Sequence, residues 1–348
     1  MSILPPTRHQ HLYGHADAAA QLKKSFDENK LHHAIILAGP NGIGKETLAY
    51  QLIRYALAFH EQKPVQQNLK IPEDQRVTKQ IAAGSHAHVF VIEPVFDEKK
   101  GRFKRDITLG ALDGLNNFLR LAPTDDAPRF ILINPADGMN PQTQNALLKM
   151  LEEPPANTHF ILLTSQIGSL LPTIRSRCLL LQLEPLNQQD FSKTIFALQP
   201  AFEDHKIEPH FYLSQGAPGL ALENEEIELF ETYASLTNAM LTWIDDNDSE
   251  LAMRLAEELS RDDVLAERIV ETLLARLALF LKSRITGQVV HTIIPEEERV
   301  FEFWNRMPEN RILAIYDQIN TLWQSCENGY LDKKLILLQI IGLLVSSS

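Results

Sequence analysis

Five apolar residues, Ala34-Ile35-Ile36-Leu37-Ala38, run directly into Gly39-Pro40-Asn41-Gly42-Ile43-Gly44-Lys45-Glu46-Thr47. A buried strand that ends in a glycine-rich turn and restarts as a helix from about Lys45 to Phe59 builds a nest of backbone N–H groups aimed at a phosphate. Gly39, Gly42 and Gly44 allow the positive φ such a turn needs, and Lys45 is placed to reach the β- and γ-phosphates of a nucleotide. The next position should be Ser or Thr, to hold Mg²⁺. Glu46 stands there instead, and Thr47 lies one residue, about 100°, further around the helix. A carboxylate at that point repels nucleotide phosphates. The stretch therefore specifies a strand–loop–helix fold unit whose phosphate chemistry has been altered.

The surrounding pattern says what that unit is part of. Further apolar strands are expected at His88–Ile92, Arg129–Ile133, Phe160–Thr164 and Cys178–Leu183, with helical spacing over 15–30, 108–121 and 142–151. Residues 60–84 read as a polar loop with one short helix. Strands alternating with helices over about 150 residues imply a parallel sheet covered on both faces. Beyond Pro185 the strand signals fade, and 226–243, 248–260, 263–285, 309–324 and 331–345 carry apolar residues at helical spacing. The expected organisation is an α/β domain over 1–185, a small helical domain over 186–222 and an all-helical domain over 223–348.

Charge divides in the same place. Residues 1–185 hold 20 Lys/Arg against 18 Asp/Glu, a net of +2, while residues 186–348 hold 13 against 27, a net of −14. An acidic chain of this kind does not coat nucleic acid by itself. Within the front half the basic run Lys99-Lys100-Gly101-Arg102-Phe103-Lys104-Arg105 is expected as an exposed, solvated turn, contact with nucleic-acid phosphates being the alternative.

A magnesium nucleotide site also needs acid at the end of a second strand, usually an Asp for the metal and often a Glu for water. This chain reads Ile131-Leu132-Ile133-Asn134-Pro135-Ala136-Asp137. Asn134 carries no charge and Pro135 cannot act as a base. Asp137 sits three residues late and is expected to cap the following turn. Substitutions in two separate motifs thus remove the parts that hydrolyse ATP.

Three longer motifs carry a resemblance. Asn145-Ala146-Leu147-Leu148-Lys149-Met150-Leu151-Glu152-Glu153-Pro154-Pro155 resembles the helix after the second acidic motif in the gamma, tau and delta-prime families of bacterial clamp loaders, a branch of the AAA+ superfamily. Phe160-Ile161-Leu162-Leu163-Thr164-Ser165 is similar to the sensor-1 strand, and Leu171-Pro172-Thr173-Ile174-Arg175-Ser176-Arg177-Cys178 contains the Ser-Arg-Cys motif. The resemblance runs from about Gly14 to Gly219, and Leu331-Asp332-Lys333-Lys334 extends it. A degenerate phosphate loop beside an intact Ser-Arg-Cys motif resembles the delta-prime family rather than gamma or tau.

That resemblance implies an AAA+ sheet domain, a helical lid over 186–222 and a helical collar over 223–348 that assembles subunits. It implies that Arg177 reaches in trans into a neighbouring subunit's ATP site. Gly39, Gly42, Gly44, Lys45 and Thr47 would then line a loop without productive ATP binding. The implied partners are gamma/tau and delta subunits in a hetero-pentamer, the sliding clamp and primer–template DNA. The holoenzyme has DNA-directed DNA polymerase (nucleotidyltransferase) activity, none of whose chemistry is visible in this chain. Two departures stand out. Many relatives carry a four-cysteine zinc module, but residues 60–90 hold no cysteine, so no zinc is expected; Leu220 replaces the sensor-2 arginine of the lid. The alternatives are an ATP-hydrolysing gamma/tau-like subunit using a displaced acid such as Asp137, and a phosphate-loop kinase.

Other features are read plainly. Cys178 and Cys326 lie too far apart to share a zinc site. The pairs His32/His33 and His86/His88 are expected at strand edges in ordinary polar packing. Leu335–Val345 is about half of the roughly 20 residues that span a bilayer, and the N-terminus lacks a secretory pattern. A cytoplasmic protein without own cofactor or membrane segment is expected.

Overall fold

A computed structural model describes residues 6–7, 12–61, 69–94, 96–97, 102–103, 107–120, 126–327 and 332–346. The chain divides into two compact units: Met1–Phe202 with Gly216–Leu220, and Glu203–Gln215 with Ala221–Ser348. The expected lid segment 186–222 is thus shared between the two.

In the first unit the elements run α1 (Ala16–Asp27), β1 (Ala34–Ala38), α2 (Lys45–His60), α3 (Arg76–Ala82), β2 (Val89–Ile92), β3 (Phe96–Asp97), β4 (Arg102–Phe103), α4 (Ala111–Arg120), β5 (Arg129–Ile133), α5 (Pro141–Glu152), β6 (Thr158–Thr164), α6 (Pro172–Arg175), β7 (Leu179–Gln182) and α7 (Gln188–Leu198). Five strands form a parallel sheet in the order β2-β5-β6-β1-β7. A separate antiparallel pair, β3-β4, takes in Arg102 and Phe103 of the basic run; Lys99, Lys100, Gly101, Lys104 and Arg105, on which the expected exposed turn rests, lie outside the described residues.

Every residue of β1 and β5 is buried, because the sheet has a core on each face. Alternate side chains divide between them. Ile35, Leu37, Phe130, Leu132, Ile161 and Leu163 point to the face where Leu22 of α1, Leu48 and Leu52 of α2 and Val77 and Ile81 of α3 pack. Ala34, Ile36, Ala38, Ile131, Ile133, Phe160 and Leu162 point to the other, against Leu112 and Leu115 of α4, Leu147 and Leu151 of α5 and Ile174 of α6. Strands buried on both faces read as unbroken apolar runs, which is why they were legible in the sequence.

The second unit holds α8 (Asp204–Leu213), most of α9 (Pro218–Glu226), α10 (Leu229–Asp246), α11 (Glu250–Leu259), α12 (Asp263–Thr286), α13 (Glu297–Asn305), α14 (Glu309–Glu327) and α15 (Lys333–Val345). The expected single helix over 226–243 is interrupted, since Glu228 takes a left-handed φ of 53° and separates α9 from α10. The α13 helix was not anticipated; Glu297, Val300 and Trp304 are buried along one of its faces. Asp262 caps α12 by accepting from the N–H groups of Val264 and Leu265, both at 3.0 Å.

One buried polar cluster pins this helical core. Arg276 Nε donates to Glu297 Oε1 at 2.7 Å and Arg276 Nη2 to Glu297 Oε2 at 2.9 Å. Tyr233 Oη donates to Glu297 Oε1 at 2.5 Å and the Ile293 N–H to Oε2 at 2.7 Å. The carboxylate is thereby fully satisfied, which is the condition for tolerating a charge in a core.

Candidate functional site

The turn between β1 and α2 sits at the carboxyl edge of the sheet, where parallel α/β sheets place their ligands. The Gly39 N–H still donates to Thr164 O of β6 at 3.1 Å. Gly44 then takes φ 106° as the N-cap of α2. Gly42, at φ 70°, is held from the other side: the Gly219 N–H donates to Gly42 O at 2.9 Å. A Cβ on Gly42 would fall 2.2 Å from the Leu220 nitrogen. Leu220, the residue in place of the sensor-2 arginine, therefore brings backbone rather than a cation to the loop. His15, buried at the start of α1, donates its Nε2–H to Ile43 O at 2.9 Å. Burial lowers its pKa, with the bond to Ile43 and the charge of Asp190 opposing.

Lys45 does not project outward. Its Nζ donates to Gly39 O at 2.6 Å and to Pro40 O at 2.7 Å, satisfying the loop's own carbonyls. Lys45 is 8% exposed, and burial pushes its pKa down to about 8, with Asp137 opposing. Thr47 is half-buried on the first turn of α2.

The two altered positions meet. Asn134 Nδ2 donates to Glu46 Oε2 at 3.0 Å. Burial raises the Glu46 pKa, Glu93 adds to the rise and the bond from Asn134 offsets part of it. Asp137 corrects the sequence expectation: it caps no helix. It accepts from Ser165 Oγ at 2.8 Å and from the Ser165 N–H at 3.2 Å, tying the end of β5 to the end of β6. The α5 cap is Asn140, whose side chain accepts from the Thr143 N–H at 2.9 Å. In this arrangement Lys45 is bonded to the loop's own carbonyls, and Glu46 and Asn134 are bonded to each other.

Arg177 lies at the opposite edge of the sheet. It precedes β7, and β7 pairs with β1 so that Leu179 faces Ile35 and Gln182 faces Ala38. Arg177 is thus level with about residue 33, and Gly39 is six residues further along, roughly 20 Å by strand rise. It cannot serve the chain's own loop. Its Nη2 lies 2.8 Å from Glu152 Oε1 and its Nη1 donates to Thr173 O at 2.9 Å, with the side chain 36% exposed. Burial pushes the neighbouring Cys178 thiol up to about 12.

The remaining expectations are placed as follows. His32 and His33 stack at 4.4 Å between ring centroids; His32 Nδ1 lies 2.7 Å from Ala34 O and His33 Nε2 3.1 Å from Leu151 O. Lys333 pairs with Asp263 and Lys334 with Glu257, while Leu331 lies outside the described residues. Among the described residues, no helix is long and apolar enough to cross a membrane. Sequence reasoning gave no role to His15 or Gly219, whose bonds to Ile43 and Gly42 carry no local signal, and it quoted Glu152 within the helix motif without a role of its own.

Comparison with known proteins agrees with these motifs. The family described as "DNA polymerase III, delta subunit" matches residues 14–187. The DNA polymerase III subunit delta' of Escherichia coli (strain K12) is 31% identical over 202 residues, 58% of this chain and 57% of that protein. The Pseudomonas aeruginosa subunit delta' is 36% identical over 146 residues, 42% of this chain and 41% of that protein. The subunit gamma of Buchnera aphidicola subsp. Schizaphis graminum is 28% identical over 192 residues, 53% of this chain and 47% of that protein. The matched stretch spans about half the length of these relatives. The chain belongs to the DNA polymerase III delta-prime family, in the clamp-loader branch of the AAA+ proteins.

Proposed function

We propose that this chain is a non-hydrolysing subunit of a clamp loader in DNA replication, one that completes a neighbour's ATP site with Arg177. One observation carries the reading: a phosphate loop bonded to itself through Lys45 and through the Glu46–Asn134 pair, while Arg177 stands on the far edge of the same sheet. A guanidinium against a γ-phosphate stabilises charge that develops in phosphoryl transfer, an effect of about 10³–10⁵ in rate at the site it serves. A subunit can therefore lose its own site and keep its finger.

In this reading residues 1–185 form the AAA+ domain, 186–222 the lid and 223–348 the collar that assembles with gamma/tau and delta subunits in a hetero-pentamer. ATP binding by those partners opens the sliding clamp and places it on primer–template DNA; the complex works in the cytoplasm. The test mixes this chain with gamma and delta subunits and measures DNA-stimulated ATPase with Arg177→Ala. A clear fall in rate is expected, and an unchanged rate overturns the finger role.

The match to gamma subunits keeps a second reading, an ATP-hydrolysing gamma/tau-like subunit. Calorimetry of the isolated chain with ATP, with and without Mg²⁺, separates the two: the inert reading expects no binding heat, and the second expects magnesium-dependent binding.

A further inference from the structure

The helix motif Asn145–Pro155, with Gln144 directly before it, is long and specific, yet nothing above gives it a task. Its two ends meet the Arg177 segment. At one end Gln144, almost fully buried, accepts from the Leu171 N–H at 2.8 Å and donates Nε2 to Ser169 O at 3.1 Å and to Met139 O at 2.9 Å. Those bonds fasten the start of α6 to the first turns of α5. At the other end Glu152 is the last helical residue, since Pro154 and Pro155 disfavour continuation and Glu153 leaves the helix at φ −124° and ψ 70°. Leu147 and Leu151 of α5 and Ile174 of α6 are buried in the same core, which fixes the spacing of the two elements. On that mount Glu152 Oε1 meets Arg177 Nη2 at 2.8 Å.

A guanidinium has five N–H donors in a rigid plane. The contacts to Glu152 and Thr173 O take one donor from each Nη. Nη1 also reaches Ser176 Oγ at 3.5 Å, so the Nε–H and the second hydrogen of Nη2 are the donors left for a phosphate. Arginine otherwise carries large rotamer freedom, lost whenever it engages a ligand. A carboxylate that holds one corner of the plane removes that freedom beforehand and leaves those donors open.

We propose that Glu152 is a positioning residue for Arg177, holding the guanidinium in its working direction through the Nη2 contact. The inference rests on the trans role of Arg177 proposed above. Misplacing a group that acts at a transition state lowers turnover without changing how substrate binds.

The test uses the assembled complex of this chain with gamma and delta subunits on primed DNA. Glu152→Ala is expected to lower kcat for ATP about three- to tenfold, with KM for ATP unchanged. Glu152→Gln, which keeps an acceptor oxygen, is expected to retain more than half of the wild-type rate. In an Arg177→Ala background, Glu152→Ala is expected to add nothing. A Glu152→Ala rate equal to or above wild type, or a loss that persists without Arg177, overturns the proposal while leaving the finger role intact. If Arg177→Ala itself has no effect, the finger role fails and this inference fails with it. In the isolated chain, side-chain NMR is expected to show hindered rotation about the Arg177 Nε–Cζ bond that Glu152→Ala releases. Free rotation in the wild-type chain also overturns the proposal.

Discussion

Asn134 donates to Glu46 across 3.0 Å, joining the end of β5 to the first turn of α2 over a separation of 88 residues. Where a working phosphate loop presents a magnesium ion to its nucleotide, these two side chains satisfy each other. The pair is neutral on one side and carries a carboxyl whose pKa burial and Glu93 have raised on the other.

That relationship is sensitive to a single atom. Asn134→Asp removes the donor and sets a second carboxyl against Glu46, so the folded chain must hold an extra proton or bear the repulsion. A cost of about 1–3 kcal/mol is expected near neutral pH. The sign follows from linkage. A carboxyl whose folded pKa is raised binds more protons folded than unfolded, so stability falls as pH rises above its ordinary value. The deficit of the variant should therefore grow between pH 5.5 and 8 in urea unfolding. An equal deficit at both pH values would show that the two carboxyls do not interact.

Lys45 has the opposite pH signature. Burial lowers its folded pKa to about 8 from an ordinary 10.5. Between those values the unfolded chain holds the proton and the folded chain has released it, so stability rises with pH across that window. Wild type should gain on Lys45→Met between pH 8 and 10, measured by urea unfolding of the two side by side. A flat difference would mean that burial does not depress the group.

In the helical unit, Glu297 accepts from Arg276, Tyr233 and the Ile293 backbone while almost wholly buried. Glu297→Ala leaves the Arg276 charge without its carboxylate and should cost about 3–5 kcal/mol. Replacing both Arg276 and Glu297 with Met should cost much less than the two single changes together. The chain's three tryptophans, Trp243, Trp304 and Trp323, all lie in this unit. Their fluorescence during urea unfolding reports it directly, and additive losses would argue against a coupled cluster.

Much of the architecture was legible from local pattern. The apolar runs at 34–38, 129–133 and 160–164 announced strands buried on both faces, and β1, β5 and β6 are those strands. The glycine turn announced itself because Gly42 and Gly44 take positive φ. Local pattern failed where long-range burial overrode it. Glu297 looks like part of an exposed acidic run, yet Arg276, 21 residues earlier, draws it into the core. Asp137 looks like a cap for the following turn, yet Ser165, 28 residues later, claims both of its oxygens.

The amino-acid order alone determined the strand–turn–helix unit, the missing magnesium ligands at Glu46 and Asn134 and the Ser-Arg-Cys segment, because backbone periodicity and turn chemistry act over a few residues. Only the tertiary structure decided that Glu46 bonds Asn134, that the Gly219 backbone closes on Gly42, and that Arg177 lies on the opposite edge from Gly39 beside Glu152. Those juxtapositions follow from the strand order β2-β5-β6-β1-β7 and its register. Strands of nearly identical apolar character carry no local mark of which neighbour they pair with; that choice is made by packing both faces of the sheet at once.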